Sequence, residues 1–425
     1  MKILMFGWEF PPHITGGLGT ACYGIVKGLM KQDVEVTFVV PKAYGDEDSN
    51  IRLVNASDIS LNLNDKFLTE YQNNLKYLEV NSKLIPYASD EEYFNILNSS
   101  QSGHIEHFSS VHTEKYEFSG KYGANIIEEV HRYALIASEL VTQDNYDIIH
   151  AHDWLTYEAG ILAKQKSGLP LVVHMHATEF DRSGENVNQV VYDIERRGME
   201  QADMVFAVSN LTRNIVINKY GIDADKVKVV HNGVEPSESK DENIEEKAVN
   251  EKIVTFLGRI TFQKGPEYFV EAANKVQQKD DEVRFVMAGS GDMLPKIVER
   301  VAKVRMGTKF HFAGFLKGQE VDKMFVQSDV YVMPSVSEPF GISPLEAMRS
   351  NVPVIISKQS GVSEVLKYAL KVDFWDIDEM SDYMYALLHY DGISKMFSKY
   401  GRQEVDELKW EYATKIMKEF YETLI

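Results

Sequence analysis

Short apolar runs recur along the chain, each closed by a polar or glycine-bearing turn and followed by a stretch whose apolar positions have helical spacing. The runs at 2–10, 34–40, 147–151, 169–174, 204–208 and 227–230 predict one series of strands, and those at 253–257, 283–288, 309–312, 329–333 and 352–356 predict a second. Helices are expected between them: from the glycines at 16–19 to Lys31, over 122–142, up to Ser167, over 185–201 and from Pro266 onward. Strand and helix in strict alternation predict two doubly wound α/β domains. A last helix over 410–424 carries an apolar stripe that must pack somewhere. The rhythm breaks twice. Residues 44–119 are polar and read as an insertion with a mobile part at 98–112, and the acidic stretch 236–251 lacks apolar periodicity and reads as a linker. The expected division is therefore 1–235, linker 236–251, 252–408 and a terminal helix 409–425.

Composition adds exclusions. The chain has 425 residues, 44% hydrophobic and 26% charged, an ordinary globular balance with room for two cores. A net charge of −19 repels nucleic acid and anionic lipid, so neither is an expected partner, and an anionic substrate needs its own positive pocket. Cys22 is the only cysteine, which excludes an intrachain disulfide and fits a reducing compartment. The apolar run after Met1-Lys2 is too short for a signal segment and no run reaches membrane-spanning length, so a cytoplasmic location is expected.

The candidate chemistry lies where strands end. In 335–348 a strand runs through a Pro/Gly-punctuated loop bearing Glu338 into a helix start at Ser343-Pro344, with Glu346 in the first turn. Unpaired N–H groups at a helix start suit a diphosphate. Ser343-x-x-Glu346 is equally a capping box, in which Glu346 closes its own helix. Gly16 and Gly17 stand at another strand-to-helix turn, where backbone can approach a ligand or glycine merely relieves crowding. Arg259 and Lys264 occupy a third such loop, two cations suited to a diphosphate. His150/His152 and His174/His176 form two H-x-H pairs at strand ends. They invite a zinc reading, but no third or fourth ligand follows at motif spacing, and strand-end histidines commonly just hydrogen-bond; no metal is expected. Gly289-Ser290-Gly291-Asp292 is half a dinucleotide fingerprint, insufficient for NAD. The three Asp-x-Asp triplets sit in turns or helix starts, and no Gly-x-Ser-x-Gly elbow is present.

Gly16-Gly17-Leu18, His150-Ala151-His152-Asp153-Trp154, the His176 strand end, Gly258-Arg259 with Lys264-Gly265, and the pair Glu338/Glu346 together resemble the retaining GT-B glycosyltransferases, nearest to the glycogen and starch synthases of compact archaeal kind. The resemblance implies two Rossmann-like domains facing each other across a cleft, with the last helix crossing back to the first. It implies transfer of a sugar from a nucleoside diphosphate sugar with retention and without an obligatory metal or other cofactor. By the same match Arg259 and Lys264 hold the diphosphate, Glu338 the sugar hydroxyls, and Glu346 the ribose. Phe340, Gly341 and Ile342 supply loop amides, His176 lies by the reacting carbon, and Asp153 lies on the acceptor side. Bacterial and plant synthases carry lysine two residues before the paired glycines; here Ile14 stands there. The expected activity is glucosyl transfer from ADP-glucose or UDP-glucose to the non-reducing end of an α-1,4-glucan. The alternatives are a related transferase building a surface polysaccharide or small glycoside, a sugar-nucleotide 2-epimerase, and a glycan-binding protein on a degenerate transferase fold.

Overall fold

The computed structural model describes residues 1–14, 16–62, 113–123, 125–234, 247 and 250–425. In the first domain β1 (Lys2–Phe6), α1 (Gly17–Met30), β2 (Glu35–Val40) and β3 (Arg52–Asn55) are followed by β4 (Ser60–Asn62) and β5 (Thr113–Lys115). Then come α2 (Ile126–Leu140), β6 (Ile148–His152), α3 (Trp154–Ser167), β7 (Leu171–Met175), α4 (Glu179–Ser183), α5 (Gln189–Gln201), β8 (Met204–Ala207), α6 (Asn210–Tyr220) and β9 (Val227–Val229). The second domain runs β10 (Lys252–Leu257), α7 (Pro266–Gln277), β11 (Val283–Ala288), α8 (Leu294–Lys303), β12 (Phe310–Gly314), α9 (Gln319–Gln327) and β13 (Val330–Met333). It continues through α10 (Ser343–Arg349), β14 (Val354–Ser357), β15 (Leu370–Val372), α11 (Ile377–His389) and α12 (Asp391–Val405) to α13 (Trp410–Tyr421).

The strands form two parallel sheets, ordered β3-β2-β1-β6-β7-β8-β9 and β12-β11-β10-β13-β14-β15. In each, the order reverses beside the first strand of its series, and the crevice at such a switch point is where ligands bind in open α/β sheets. Apolar side chains of both faces are buried, as the continuous runs require: Ile3 and Met5 pack under α1, Leu4 and Phe6 under α2 and α3. The expected fold class, two doubly wound α/β domains, is the one observed.

Three boundaries differ from the reading of the sequence. Residues 52–55, placed there in the polar insertion, are an edge strand paired with β2; Leu53 and Val54 pack on opposite faces of the sheet, but a run of four residues is too short to stand out from its polar surroundings. Flanks of the same insertion pair as the antiparallel β4-β5, while its middle, including 98–112, lies outside the described residues, as does most of the linker. The helix expected over 185–201 starts later, at Gln189, as α5 capped by Asn188, whose side chain accepts from the amides of Val190 and Val191; the short α4 precedes the expected range.

The apolar stripe of α13 packs on α1. Trp410, Met417 and Tyr421 are buried there, and a Cβ on Gly24 would lie 2.2 Å from the Trp410 indole, one on Gly28 2.7 Å from Thr414 Oγ1. Two glycines one helical turn apart thus form the groove that receives the terminal helix.

Candidate active site

On the second-domain side, β10 ends in a loop held against its neighbour: the Ile260 amide donates to Ser290 O at 2.7 Å. A Cβ on Gly289 would fall 1.9 Å from Gly258 O, so the half-fingerprint glycine serves loop packing. Arg259 reaches Gln263, Nη2 to Oε1 at 3.0 Å. The turn Phe262–Lys264 closes on Gly265 at φ 65, where a side chain would strike Pro334 O, and Pro266 starts α7. That close approach seats Lys264 beside the 335–348 loop. Its ammonium forms an ion pair with the Glu338 carboxylate, which also accepts from Ser335 Oγ at 3.2 Å. The Glu338 main chain is pinned on both sides: its amide donates to Gln359 O and its carbonyl accepts from Gly361 N. Lys264 and Glu338 are only 20% and 8% exposed; a buried pair is a poor source of stability and a ready pair of ligand groups.

Gly341, at φ 101, turns the chain into α10, which starts at Ser343 behind an Ile342 N-cap. Phe340 is buried, and its ring fills the apolar core beneath the loop. No side chain caps this helix, and Ser343 Oγ bonds the Tyr331 hydroxyl at 2.8 Å instead. The capping-box alternative for Glu346 is therefore not realised: Ser343 is already a helical residue, and its hydroxyl is committed to the neighbouring strand. Burial raises the Glu346 carboxyl above its ordinary pKa, offset in part by Arg349.

On the first-domain side, Gly16 precedes α1 and Gly17 opens it. Gly17 faces Ile342, whose Cδ1 would lie 4.0 Å from a Cβ placed on the glycine, so this turn and the start of α10 confront each other. Asp153 holds φ 58 with ψ 170, a conformation costly for any residue but glycine. Its carboxylate turns away from the helix it precedes and accepts from the amides of His176, at 2.7 Å, and Ala177, at 3.4 Å. Burial pushes its pKa up to about 7 against the opposing pull of Arg182 and the His176 amide. Asp153 thus fixes the main chain of His176. The His176 ring is held neutral by burial, its pKa lowered to about 3, and its Nε2 lies 2.9 Å from His152 Nδ1.

The two sides meet through residues that sequence reasoning missed. Helix α4, which begins just past His176, packs on the Phe262–Lys264 turn. Asp181 forms a true capping box with Thr178 and also accepts from Ser337 Oγ at 2.5 Å, tying the His176 strand end to the residue before Glu338. Thr178-x-x-Asp181 was the available signal, a capping pattern overlooked beside the more conspicuous Ser343-x-x-Glu346. Farther along the cleft Glu364 accepts from the amides of Asn210 and Leu211 at the start of α6 and contacts His231 Nε2 at 2.9 Å.

Residues 237–404 match the family described as Glycosyl transferases group 1, and residues 103–238 match Glycosyltransferase Family 4. The chain is a glycosyltransferase of the GT-B type. An uncharacterised glycosyltransferase of Methanocaldococcus jannaschii is 29% identical over 381 residues, covering 87% of this chain and 83% of that protein. A glycogen synthase of Mycobacterium tuberculosis is 23% identical over 86% of this chain and 80% of its own length. Among solved structures, sucrose-phosphate synthase from Thermosynechococcus elongatus superposes with a TM-score of 0.70 at 17% identity, covering 100% of this chain and 98% of that one. In this GT-B glycosyltransferase the contacts above bring Gly17, Ile342, Lys264, Glu338, His176 and Asp153 to the two walls of one cleft. Phe340 lies in the core behind it. Among the described residues no helix is long and apolar enough to cross a membrane.

Proposed function

We propose that the protein is a retaining α-glucan synthase, transferring glucose from a nucleoside diphosphate glucose to the non-reducing end of an α-1,4-glucan. The observation that carries this reading is the Lys264–Glu338 ion pair, set against the His176 strand end through α4 and the Asp181–Ser337 bond. A donor would divide that pair. Its diphosphate takes the Lys264 ammonium and the Arg259 guanidinium, while its sugar hydroxyls take the Glu338 carboxylate. As the glycosidic oxygen departs, negative charge gathers on the diphosphate, and two fixed cations with the amides around Gly341 and Ile342 stabilise it more in the transition state than in the ground state. His176 is neutral, with Nε2 committed to His152, and so offers Nδ1 to a sugar hydroxyl without bringing a positive charge to the oxocarbenium-like carbon. Glu346, raised by burial, would hold the ribose. The glycogen synthase among the relatives supports the glucan acceptor.

Nucleoside diphosphate release from ADP-glucose and UDP-glucose, with and without glycogen, tests this. Glycogen-dependent release from one of them is the expected result, with the product linkage then read as α by NMR. Release that ignores glycogen but responds to a sugar phosphate or a lipid-linked sugar would move the protein to the glycoside- or polysaccharide-building transferases of the same fold.

A further inference from the structure

The two H-x-H pairs lack further ligands at motif spacing, yet the sheet supplies one. β6 and β7 pair in parallel with His152 opposite His174, and alternation along β6 puts His150 on the same face. All three rings are buried beneath α1 and α13, at 0%, 0% and 1% exposure. Three imidazoles hold six ring nitrogens. His150 Nδ1 bonds the Tyr421 hydroxyl at 2.8 Å and His152 Nδ1 bonds His176 Nε2 at 2.9 Å. The other four, His150 Nε2, His152 Nε2 and both nitrogens of His174, have no hydrogen-bond partner. One nitrogen from each ring lies within 4.8 Å of those of the other two. Buried polar nitrogens are nearly always satisfied, so four orphans in one cluster call for an occupant.

We propose that His150, His152 and His174 bind a single borderline-to-soft transition ion, zinc(II) or copper(I), as a structural site behind the catalytic cleft. The donor chemistry selects that class: three imidazole nitrogens and no carboxylate exclude magnesium and calcium, and the buried Cys22 thiol, grouped with His152 and His176, borders the site with sulfur. A neutral imidazole keeps one nitrogen free of a proton, so each of the three rings can offer one lone pair. Two of the three also have the outer partner that orients a metal-bound imidazole, Tyr421 for His150 and His176 for His152. Zinc–nitrogen bonds of about 2.0–2.1 Å need nitrogens roughly 3.4 Å apart; the His174 ring lies 10° and 27° from the planes of His150 and His152, so binding requires that ring to rotate until its lone pair converges with theirs. The bound ion joins three parts of the fold: the sheet, the terminal helix through Tyr421, and the cleft histidine through His152. It takes no part in glycosyl transfer.

The test uses the full chain, stripped with a chelator and dialysed against zinc(II), or against copper(I) under reducing conditions, with metal content and melting temperature as readouts. The expected result is one ion per chain held at submicromolar free metal, with a melting temperature raised by several degrees. His174→Phe keeps an aromatic ring in the packing beside Phe206 and should weaken binding at least 100-fold and abolish the rise. Exposed histidines would bind equally in both proteins, so equal retention by the variant, or no retention by either, overturns the site. If His174→Phe does not fold, cobalt(II) added to the stripped chain decides. Intense visible bands of a low-coordinate nitrogen site uphold the proposal, and the weak bands of an octahedral aqua ion overturn it.

Discussion

The two walls of the cleft are built on the same plan and do different work. On the second-domain wall, glycines at positive φ let three loops lie against one another, and the groups presented are charged: Arg259, Lys264 and Glu338. On the first-domain wall His176 and Asp153 differ from these. His176 is kept uncharged by burial, and Asp153, with a pKa near 7, spends its carboxylate on main-chain amides. In a protein of net charge −19, Arg259 and Lys264 place two cations on the second-domain wall. Parallel α/β topology therefore brings strand ends to the cleft, and loop chemistry divides the labour between them.

That division is most sharply broken by removing a charge. Lys264→Ala or Glu338→Ala should lower kcat/KM about 10³-fold, equivalent to about 4 kcal/mol of transition-state stabilisation, with unchanged circular dichroism. A loss below tenfold in nucleoside diphosphate release would take the charged wall out of the chemistry. Trp410→Ala attacks the first-domain side through its support. Emptying the Gly24 groove should destabilise the first domain by about 3 kcal/mol, read as an earlier urea transition. Turnover at low temperature should stay within a few fold, because Trp410 touches neither wall.

Ser337→Ala removes one of the ties between the walls, since it cuts the bond to Asp181 and leaves both surfaces intact. A hydrogen bond to a carboxylate at this strength corresponds to roughly tenfold, and the loss should fall on kcat rather than on donor KM. The smallest effect concerns Glu364. Burial alone would raise its pKa, but the hydrogen bonds from His231, Asn210 and Leu211 outweigh it and hold the carboxyl below the ordinary glutamate value. A lowered folded pKa means that the contact is fully stabilising above the ordinary glutamate range and is lost as pH falls through the folded value. Melting temperature should consequently fall less between pH 5 and pH 3 in Glu364→Gln than in the parent, by about a degree; parallel curves would remove Glu364 as an interdomain contact.

Much of this was legible because the signals are local. Continuous runs such as Ile3-Leu4-Met5-Phe6 and Val330-Tyr331-Val332-Met333 have only one way to bury both faces. The Gly/Pro punctuation around Glu338 and Lys264 marks loops at strand ends regardless of partners. Errors arose where a short element borrowed its stability from neighbours. The edge strand 52–55, of four residues, is too short a run to stand out until it pairs with β2 and packs Leu53 and Val54. Helix α4, of five residues, exists through its capping box and its contact with the 262–264 turn.

What the sequence determined alone was therefore the parallel α/β plan, the loops that hold the candidate site, and the identity of the charged and histidine side chains in them. The tertiary structure decided which of those side chains meet. Asp181 and Ser337 are 156 residues apart, and His152 and His174 become neighbours only through strand register. Trp410 finds Gly24 only when the last helix returns across the first domain. Such pairings carry no local signature, because their free energy comes from burial and hydrogen bonding between distant segments and exists only once the chain has closed around them.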